Sequence, residues 1–449
     1  MLIEEYIQRT CSMVPSLNCL VFNRDGEDIY SKSYGLANIE RKIKATIETS
    51  YGIGSITKIF TALSIFKLIE NKPNVLDSYI YEYFNNTKLF DTLKNSNIKI
   101  KHLLSHTTGI SSLAFSESRY NPNYFLTGKD INKNNIYDIL QNININKVDS
   151  PGKNFRYLNI GYILLGIIIE KISKMEFESY VEKNIFKTLG MSSTCFSNAS
   201  LQSKNIATPY IVASSKINTI GSLLNSDFQQ AGGIVSNLTD LKKLIISLLS
   251  KESKNKIIKD ITFKKMCSTQ KILKYNTSIN KTYSGLGFFI NKNFCGDNLI
   301  FHNGGIMGGR ANVSIIPKKG VGAIVLTNSD DISAEEVSRV LISNLVYKKT
   351  FQNKLEFSEI TKNILGEYTS YNNNINATIR KKRNKLELIF DYMPKQKTYL
   401  LLPKQYSQTQ LVMSAINLSE YSTKNIFKYN LKKGYFEINQ YIFFKTKNI

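Results

Sequence analysis

The chain is poor in the residues that usually mark special sites: 449 residues include eight prolines, five cysteines and three histidines. The cysteines are dispersed and show no paired spacing, which excludes a disulfide scaffold and favours reduced, mostly buried thiols. The longest apolar run, Tyr162–Ile169, is far too short to span a bilayer. With 42% apolar residues and no proline-rich tract, the composition is that of a folded chain.

Acidic residues are also scarce, since 35 Asp and Glu stand against 59 Lys and Arg, giving a formal charge of +24. Such a charge is compatible with nucleic acid, an anionic membrane or an anionic polymer as a partner. The lysines are scattered, however, and the densest cluster, Arg380–Arg383, is typical of a charged hairpin. No nucleic-acid-binding motif accompanies it. We predict no nucleic-acid partner and no integral membrane segment, and the oligomeric state stays open.

The N-terminus carries Glu4 and Glu5 and no apolar stretch, so it does not read as a secretory signal, and we expect a cytoplasmic protein. His102 and His106 lie four residues apart but lack the intervening glutamate of a hydrolytic zinc motif. We predict that they are a structural pair beside the turn at Thr107–Gly109. We therefore expect no metal and no other cofactor.

The hydrophobic pattern predicts a large α/β domain over residues 1–350 and a small all-β domain over residues 351–449. Further elements are predicted as two strands over residues 17–37, a buried helix from Ser55 to about Glu70, two helices from Asn159 to Leu189, one from Asp240 to Ser250, two strands over 311–330 and a helix from about Ser333 to Tyr347. Strands at both ends flank a helical middle, which predicts an antiparallel sheet built from both ends with helices packed on it. The last hundred residues are short strands, typical of a small barrel or sandwich.

The segment Tyr51–Phe60, YGIGSITKIF, places Ser55 three residues before Lys58. The same spacing recurs at six other places, so spacing alone identifies nothing. Ser55 differs because glycines precede it and a buried helix follows, which puts its N–H and hydroxyl at a helix N-terminus. There Lys58 shares a helical face with the serine, burial disfavours its ammonium form, and the serine N–H can stabilise an oxyanion. Alternatively, Ser55 is a simple N-cap and Lys58 reaches solvent.

Two further segments carry candidate residues. Within Pro151–Tyr162, Tyr157 is a candidate proton shuttle and Asn159 a candidate amide donor to the base or a substrate carbonyl. Asn159 is equally a candidate N-cap of the following helix. In Phe301–Arg310 the glycines allow another backbone to approach closely, and no phosphate-loop ending follows them. Arg310 is either a ligand for a substrate carboxylate or a solvent-facing loop residue.

Taken in order, these segments resemble the superfamily of serine β-lactamases and penicillin-binding proteins, in the branch of class C β-lactamases, D-stereospecific peptidases and related esterases. The resemblance spans most of residues 1–345 and rests on GSITKIFTALSIFKLIE, KHLLSHTTGI, PGKNFRYLNIGYILLGIIIEKI, NIFKTLGM, AGGIVSNLTDL, YSGLGFFI and HNGGIMGG. It implies an α/β sandwich, an antiparallel sheet beside a helical subdomain, with the site between them. It also implies a lipocalin-like barrel at the C-terminus, as in some family members.

The resemblance assigns roles to individual residues. Ser55 is the implied nucleophile, Lys58 its base or electrostatic partner, and Tyr157 the proton shuttle. Asn159 is implied to orient Lys58 and the substrate. The remaining implied positions are His302 and Gly304 on the strand of the third motif and the N–H groups of Ser55 and Gly305 in the oxyanion hole.

Two positions depart from the commoner pattern of the family. His302 stands where most β-lactamases have the lysine of Lys-Thr-Gly, and Leu158 stands where serine is commoner. Histidine at the first of these positions is common among peptidases and esterases, so the resemblance favours a serine hydrolase acting through an acyl-enzyme on a peptide, amide or ester. Two alternatives remain: a catalytically silent relative that binds peptides or acts as a scaffold, and a true β-lactamase.

Overall fold

The structure is a computed structural model of the chain. It describes residues 3–70, 73–85, 90–110, 149–197, 205–213, 216–219, 229–252, 256–273, 282–348, 363–370, 375–382, 385–392, 395–406, 410–417, 424–438 and 441–448. These residues form two compact units, one within residues 3–348 and one within residues 363–448. The predicted domain boundary at residues 350 and 351 lies outside the described residues.

The first unit contains eleven α-helices and fourteen strands among its described residues. The helices are α1 Ile3–Cys11, α2 Thr57–Ile69, α3 Phe90–Lys94, α4 Ile100–Leu104, α5 Asn159–Ser173, α6 Phe177–Val181, α7 Lys187–Leu189, α8 Gln229–Gly232, α9 Leu238–Leu249, α10 Asp260–Met266 and α11 Ala334–Leu345. The strands are β1 Ser16–Asn23, β2 Asp28–Asn38, β3 Ile43–Lys44, β4 Tyr51–Gly52, β5 Cys195–Phe196, β6 Tyr210–Ala213, β7 Lys216–Thr219, β8 Ile234–Ser236, β9 Lys271–Ile272, β10 Thr282–Ser284, β11 Phe289–Phe294, β12 Asp297–Ile306, β13 Gly309–Ile316 and β14 Val321–Thr327. Short 3-10 turns lie at Gly54–Ile56, Pro73–Asp77 and Ile80–Tyr83.

Nine of these strands form one antiparallel sheet in the order β3-β2-β1-β14-β13-β12-β11-β10-β9. Strand β1 pairs with β2 on one side and with β14 on the other, so that Leu17 lies opposite Thr327. The N-terminal strands and those after residue 282 therefore share one sheet, which confirms the prediction that both ends of the domain build it. Helices α9 and α11 pack on these central strands.

Helices α2 and α5 form the centre of the helical region. Both are apolar on nearly every face, and they pack against each other with side chains such as Phe60 and Leu165 fully buried. The second helix predicted before Leu189 is divided into α6 and α7 by a π-helical turn, Glu182–Phe186. It ends at Gly190, whose φ of +63° is the left-handed conformation that glycine adopts at low cost.

The second unit is a closed antiparallel barrel in which each strand pairs with the next and the last pairs with the first. Its strands are β15 Gly366–Ser370, β16 Asn376–Lys382, β17 Lys385–Tyr392, β18 Lys395–Tyr406, β19 Gln410–Asn417, β20 Lys424–Asn430, β21 Tyr435–Ile438 and β22 Tyr441–Asn448. Tyr368, Phe427 and Phe436 are at most 1% exposed and belong to one aromatic core. Arg380, from the predicted charged hairpin, pairs with Glu387 on the neighbouring strand at 3.0 Å.

Three sequence-based expectations concern the chain as a whole. Within the described ranges, no helix is both long enough and apolar enough to cross a membrane. No disulfide joins the five cysteines, all of which the structure describes, but the prediction that they are mostly buried is wrong: Cys19 is buried and the other four are partly exposed. The mixed α/β fold with an antiparallel sheet, flanking helices and a smaller C-terminal barrel is confirmed.

Candidate active site

Ser55 lies in the one-turn 3-10 helix Gly54–Ile56 that leads directly into α2. The N-caps of these two helices are Ile53 and Ile56, so the alternative that Ser55 is a simple N-cap is wrong. N–H groups at a helix start have no intrahelical acceptor, which leaves the Ser55 N–H available for a ligand. Ser64, which has the same spacing to a lysine, instead lies inside α2 and donates its hydroxyl to the Phe60 carbonyl.

Lys58 is fully buried, at 0% exposure, which excludes the alternative that it reaches solvent. Its Nζ lies 2.9 Å from Ser55 Oγ and 2.6 Å from the carbonyl oxygen of Ala231, in α8. Among the described residues no carboxylate forms an ion pair with it. Burial without a compensating anion lowers the pKa of Lys58 well below its ordinary value, because it penalises the charged form. The side chain is therefore a candidate neutral amine beside the serine hydroxyl.

The Tyr157 hydroxyl donates a hydrogen bond to Ser55 Oγ at 2.8 Å. Lys58 Nζ lies 5.1 Å from the centre of the Tyr157 ring and 5.5 Å from that of Tyr162, so two aromatic faces enclose the amine. Burial raises the pKa of Tyr157, and the hydrogen bond to Ser55 offsets only part of this shift. The phenol is thus protonated at neutral pH, as its donated hydrogen bond to Ser55 Oγ requires.

The third predicted segment brings glycines against the residues before Ser55. A Cβ atom on Gly304 would lie 1.9 Å from the carbonyl oxygen of Ile53. A Cβ atom on Gly54 would lie 2.7 Å from the carbonyl oxygen and 2.8 Å from the nitrogen of Gly305. Glycine is required here because two stretches of the protein's own backbone touch, and this contact places the Gly305 N–H beside the serine turn.

His302 lies on β12, opposite Val313 of β13, and is buried. Its Nδ1 is 2.7 Å from the Asn303 carbonyl oxygen, so Nδ1 carries the proton and donates. Burial and, whenever Lys58 is protonated, the positive charge of its amine lower the pKa of His302 to about 3. The ring is therefore neutral at physiological pH and close enough to sense Lys58, although no hydrogen bond joins it to Ser55, Lys58 or Tyr157 within the described part of the chain.

Asn159 and Arg310 do not take part in the hydrogen bonds that join Ser55, Lys58 and Tyr157. Asn159 is the first residue of α5, and its predecessor Leu158 is the N-cap, so the alternative that Asn159 caps this helix is wrong. No hydrogen bond joins the Asn159 side chain to Lys58 among the residues the structure describes.

Arg310 donates from Nη1 to the carbonyls of Ile306 and Gly309 at 2.8 Å, and from Nη2 to Asp330 at 3.4 Å. Its guanidinium thus holds the β12–β13 hairpin.

The two neighbouring histidines are engaged in separate hydrogen bonds. His102 Nδ1 accepts the N–H of Lys99 at 3.1 Å, whereas His106 Nδ1 accepts the N–H of Leu158 at 3.0 Å. The His106 ring also stacks on Tyr157, with ring centres 4.3 Å apart. Sequence reasoning left His106 outside the site, because a neighbour 51 positions along the chain gives no local signal.

One group of potential metal ligands occurs among the described residues, formed by Glu170, Glu176 and Glu178, whose ligand atoms lie within 4.8 Å of one another. A carboxylate oxygen of Glu170 accepts the N–H of Phe177 at 2.9 Å, at the start of α6. Acidic groups at a helix N-terminus stabilise its unpaired N–H groups, so this cluster is explained by the junction of α5 and α6.

A large antiparallel sheet beside a helical region, with a Ser-x-x-Lys pair at the start of the central helix and a tyrosine on the serine, defines the class of serine β-lactamases and penicillin-binding proteins. The chain belongs to the Beta-lactamase family, whose model matches residues 15–344. That range covers most of the first unit.

Similar proteins agree with this assignment. Protein flp of Staphylococcus aureus is 27% identical over 350 residues, which cover 78% of this chain and 66% of that protein, so the chain spans just under two thirds of its length. A solved structure described as an octameric penicillin-binding protein homologue from Pyrococcus abyssi matches with a TM-score of 0.79 and 26% identity, over 98% of each chain. A D-amino acid amidase from Ochrobactrum anthropi shares the fold, with a TM-score of 0.60 and 20% identity over 77% of this chain and 97% of its own.

Proposed function

We propose that this chain is a serine hydrolase in which Ser55 forms an acyl-enzyme with a peptide, amide or ester substrate. The observation that carries the proposal is the position of Ser55 Oγ, 2.9 Å from a fully buried lysine amine and 2.8 Å from a tyrosine hydroxyl. A serine hydroxyl is a weak nucleophile unless a base takes its proton, and a desolvated lysine is one of the groups that can do so.

In the proposed reaction, Ser55 Oγ attacks the substrate carbonyl carbon while its proton passes to the neutral amine of Lys58. The negative charge that develops on the carbonyl oxygen is stabilised by the N–H groups of Ser55 and Gly305. When the bond to the leaving group breaks, Tyr157 donates its proton to the departing nitrogen or oxygen and recovers one from Lys58. Water then attacks the ester of Ser55 and loses a proton to the same pair, which returns it to Ser55 Oγ as the Oγ–acyl bond breaks and the acid is released.

The outer residues have supporting roles in this proposal. Asn159 is not hydrogen-bonded to Lys58, so we assign its amide to a substrate carbonyl oxygen. His302 keeps a neutral ring near Lys58 and adds no positive charge that would lower the pKa of the amine further. Arg310 is engaged with its own hairpin and with Asp330, which favours substrates without a free carboxylate at that position. Amides and esters both meet this condition.

A fluorophosphonate probe tests the proposal, because it reports nucleophile activation without requiring the natural substrate. We expect one label per chain, located at Ser55 by peptide mass spectrometry, and none in Ser55→Ala. Ser64→Ala is the matched control, since Ser64 has the same spacing to Lys67 and lies in α2, the helix that follows Ser55; it should label like the wild type. Equal labelling of wild type and Ser55→Ala would falsify the assignment.

Substrate class is tested separately with nitrophenyl esters, D-amino-acid amides, short peptides and nitrocefin. We expect Ser55-dependent turnover of an ester or amide and slow or no nitrocefin hydrolysis. Rapid nitrocefin turnover indicates a true β-lactamase instead. Labelling of Ser55 without turnover of any of these substrates indicates another acyl group.

A further inference from the structure

His106 is a buried polar residue that the proposed reaction does not use. It is 3% exposed and follows the end of α4. Its φ of +55° lies in the left-handed region, which only a few per cent of non-glycine residues adopt. A conformation of this kind is kept when surrounding contacts require it.

The contacts of His106 converge on three consecutive residues. The N–H of Arg156 donates to the His106 carbonyl oxygen at 2.8 Å, and the N–H of Leu158 donates to His106 Nδ1 at 3.0 Å. Between them, the Tyr157 ring stacks on the imidazole at a centre-to-centre distance of 4.3 Å and an interplanar angle of 26°. One residue therefore holds the backbone on both sides of Tyr157 and also the face of its ring.

The protonation state of His106 follows from its surroundings. Because Nδ1 accepts a hydrogen bond, the proton of the neutral ring lies on Nε2. The charged and titratable groups that face the ring are Lys58, His302, Tyr157 and Tyr162. Burial, reinforced whenever Lys58 or His302 is protonated, keeps the pKa of His106 well below its ordinary value, so the ring is uncharged.

The imidazole leaves one polar atom without a partner. Nε2 is buried and makes no hydrogen bond with any described residue. An unsatisfied buried donor is destabilising, and phenylalanine would fill the same space without one. The feature that phenylalanine lacks is the Nδ1 acceptor for the Leu158 N–H, which accounts for a histidine at this position.

We propose that His106 is the positioning residue for Tyr157, holding residues 156–158 so that the phenol hydroxyl points at Ser55 Oγ. His106 acts through Tyr157 and does not touch the substrate. The proposal rests on the proposed function of Ser55 for its effect on rate, whereas its structural part, the bracing of residues 156–158, stands independently.

The rate part is tested by fluorophosphonate labelling of two variants. His106→Phe keeps the ring but removes the acceptor, while His106→Asn keeps an acceptor, tolerates the left-handed backbone and removes the ring. We expect the labelling rate to fall about a hundredfold in His106→Phe and about tenfold in His106→Asn, with the stoichiometry still one per chain, because small displacements of catalytic groups have effects of this size. His102→Asn, which changes the other histidine that accepts a backbone N–H, should label at the wild-type rate.

A double-mutant cycle with Tyr157→Phe distinguishes positioning from general destabilisation. If His106 acts through the phenol, His106→Asn should slow labelling less than about threefold in the Tyr157→Phe background, since contacting residues show non-additive effects. The same tenfold loss in both backgrounds overturns the proposal. So does a fall in stoichiometry at an unchanged rate constant, which indicates partial unfolding.

Hydrogen exchange tests the bracing without reference to activity. The peptide that contains residues 156–158 should exchange at least tenfold faster in His106→Phe than in the wild type, and His106→Asn should restore most of the protection. Unchanged exchange in His106→Phe contradicts the bracing even if Ser55 is the nucleophile. Faster exchange together with an unlabelled wild-type Ser55 supports the bracing and refutes the proposed function.

Discussion

Lys58 shows how a single side chain connects burial to chemistry. An exposed lysine is protonated at neutral pH and cannot accept a proton, whereas full burial beside two aromatic rings, with no carboxylate paired to it among the described residues, favours the neutral amine. The Ala231 carbonyl fixes the amine by accepting one of its N–H groups at 2.6 Å and holds Nζ 2.9 Å from Ser55 Oγ. The position of Lys58 on the first turn of α2 would not by itself make its amine neutral or hold it beside Ser55.

Replacing Lys58 by methionine should separate its catalytic effect from its effect on stability. We expect Lys58→Met to slow fluorophosphonate labelling by about 10²- to 10⁴-fold, the usual contribution of a general base. The melting temperature should be unchanged or higher, because an amine no longer has to be desolvated. Lys67→Met, from the other Ser-x-x-Lys pair of the same helix, is the control and should label normally. A Lys58→Met variant that labels at the wild-type rate contradicts the assignment of the base.

The labelling rate should also depend on pH in a direction that the pKa shifts determine. In the proposed reaction Lys58 acts as the neutral amine and Tyr157 as the protonated phenol, so the labelling rate should rise as Lys58 loses its proton and fall only when Tyr157 does. Burial lowers the pKa of Lys58 below its ordinary 10.5 and raises that of Tyr157. We expect a rising limb with a midpoint well below 10.5, and its persistence in Tyr157→Phe. A midpoint at the ordinary lysine value is inconsistent with a buried base.

At the scale of elements, the site depends on the contact between the serine turn and strand β12. Ile53 and Gly54 precede Ser55, the proposed nucleophile, and their backbone touches Gly304 and Gly305 without intervening side chains. Strand β12 is held in register by β13, where Gly304 lies opposite Ala311. The sheet thus supplies a rigid surface against which the start of α2 is placed.

A methyl group at this contact should displace the turn. In Gly304→Ala the new Cβ would lie 1.9 Å from the Ile53 carbonyl oxygen, so backbone must move. We expect the labelling rate of Ser55 to fall about a hundredfold, because a shift near 1 Å at a nucleophile has that effect. Gly232→Ala is the control. Its added Cβ would have one neighbouring atom within 4 Å, the carbonyl carbon of Gly54 at 4.0 Å, so the variant should label within about twofold of the wild-type rate. Similar rates in both variants argue against this contact as a determinant of the site.

At the scale of the whole molecule, the described residues form two units, each with its own hydrophobic core. The barrel interior is filled by stacked rings, with Phe436 lying 4.9 Å from Phe427 and 4.8 Å from Phe443 between ring centres. The proposed catalytic residues all belong to the first unit, within residues 3–348. The stability of the barrel and the reactivity of Ser55 can therefore be measured separately.

Phe436→Ala should destabilise the barrel by about 3–5 kcal/mol, the usual cost of truncating a buried aromatic residue. Hydrogen exchange of β20–β22 should accelerate accordingly, while the Ser55 labelling rate stays at the wild-type value. Phe444→Ala removes a ring that is 43% exposed on the following strand and should change stability by less than about 0.5 kcal/mol. Loss of labelling in a folded Phe436→Ala variant contradicts the separation.

Many helices and strands of this structure were predictable from local sequence patterns. The strands around Asn23–Gly26, the buried helix after Ser55 and the strands on either side of Lys318–Gly320 were predictable, because their periodicity and turn residues depend on neighbours in sequence. The sequence also distinguishes Ser55 from the six other serines with this spacing to a lysine, since glycines precede it and a buried helix follows it; its role as nucleophile stays a prediction. The sequence resemblance to the family agrees with the match over residues 15–344.

The contacts that join distant segments were decided by the tertiary structure. Nothing near Asn159 in sequence indicates that its amide makes no bond to Lys58, and nothing near His106 indicates that it braces Tyr157. Arg310 is occupied by carbonyls of its own hairpin only because β12 and β13 pair in one register. The sequence by itself determined which residues are available and which elements they start. Packing of the sheet against the serine turn decided which of them meet, because such distances depend on long-range pairing and close backbone contact that local patterns do not encode.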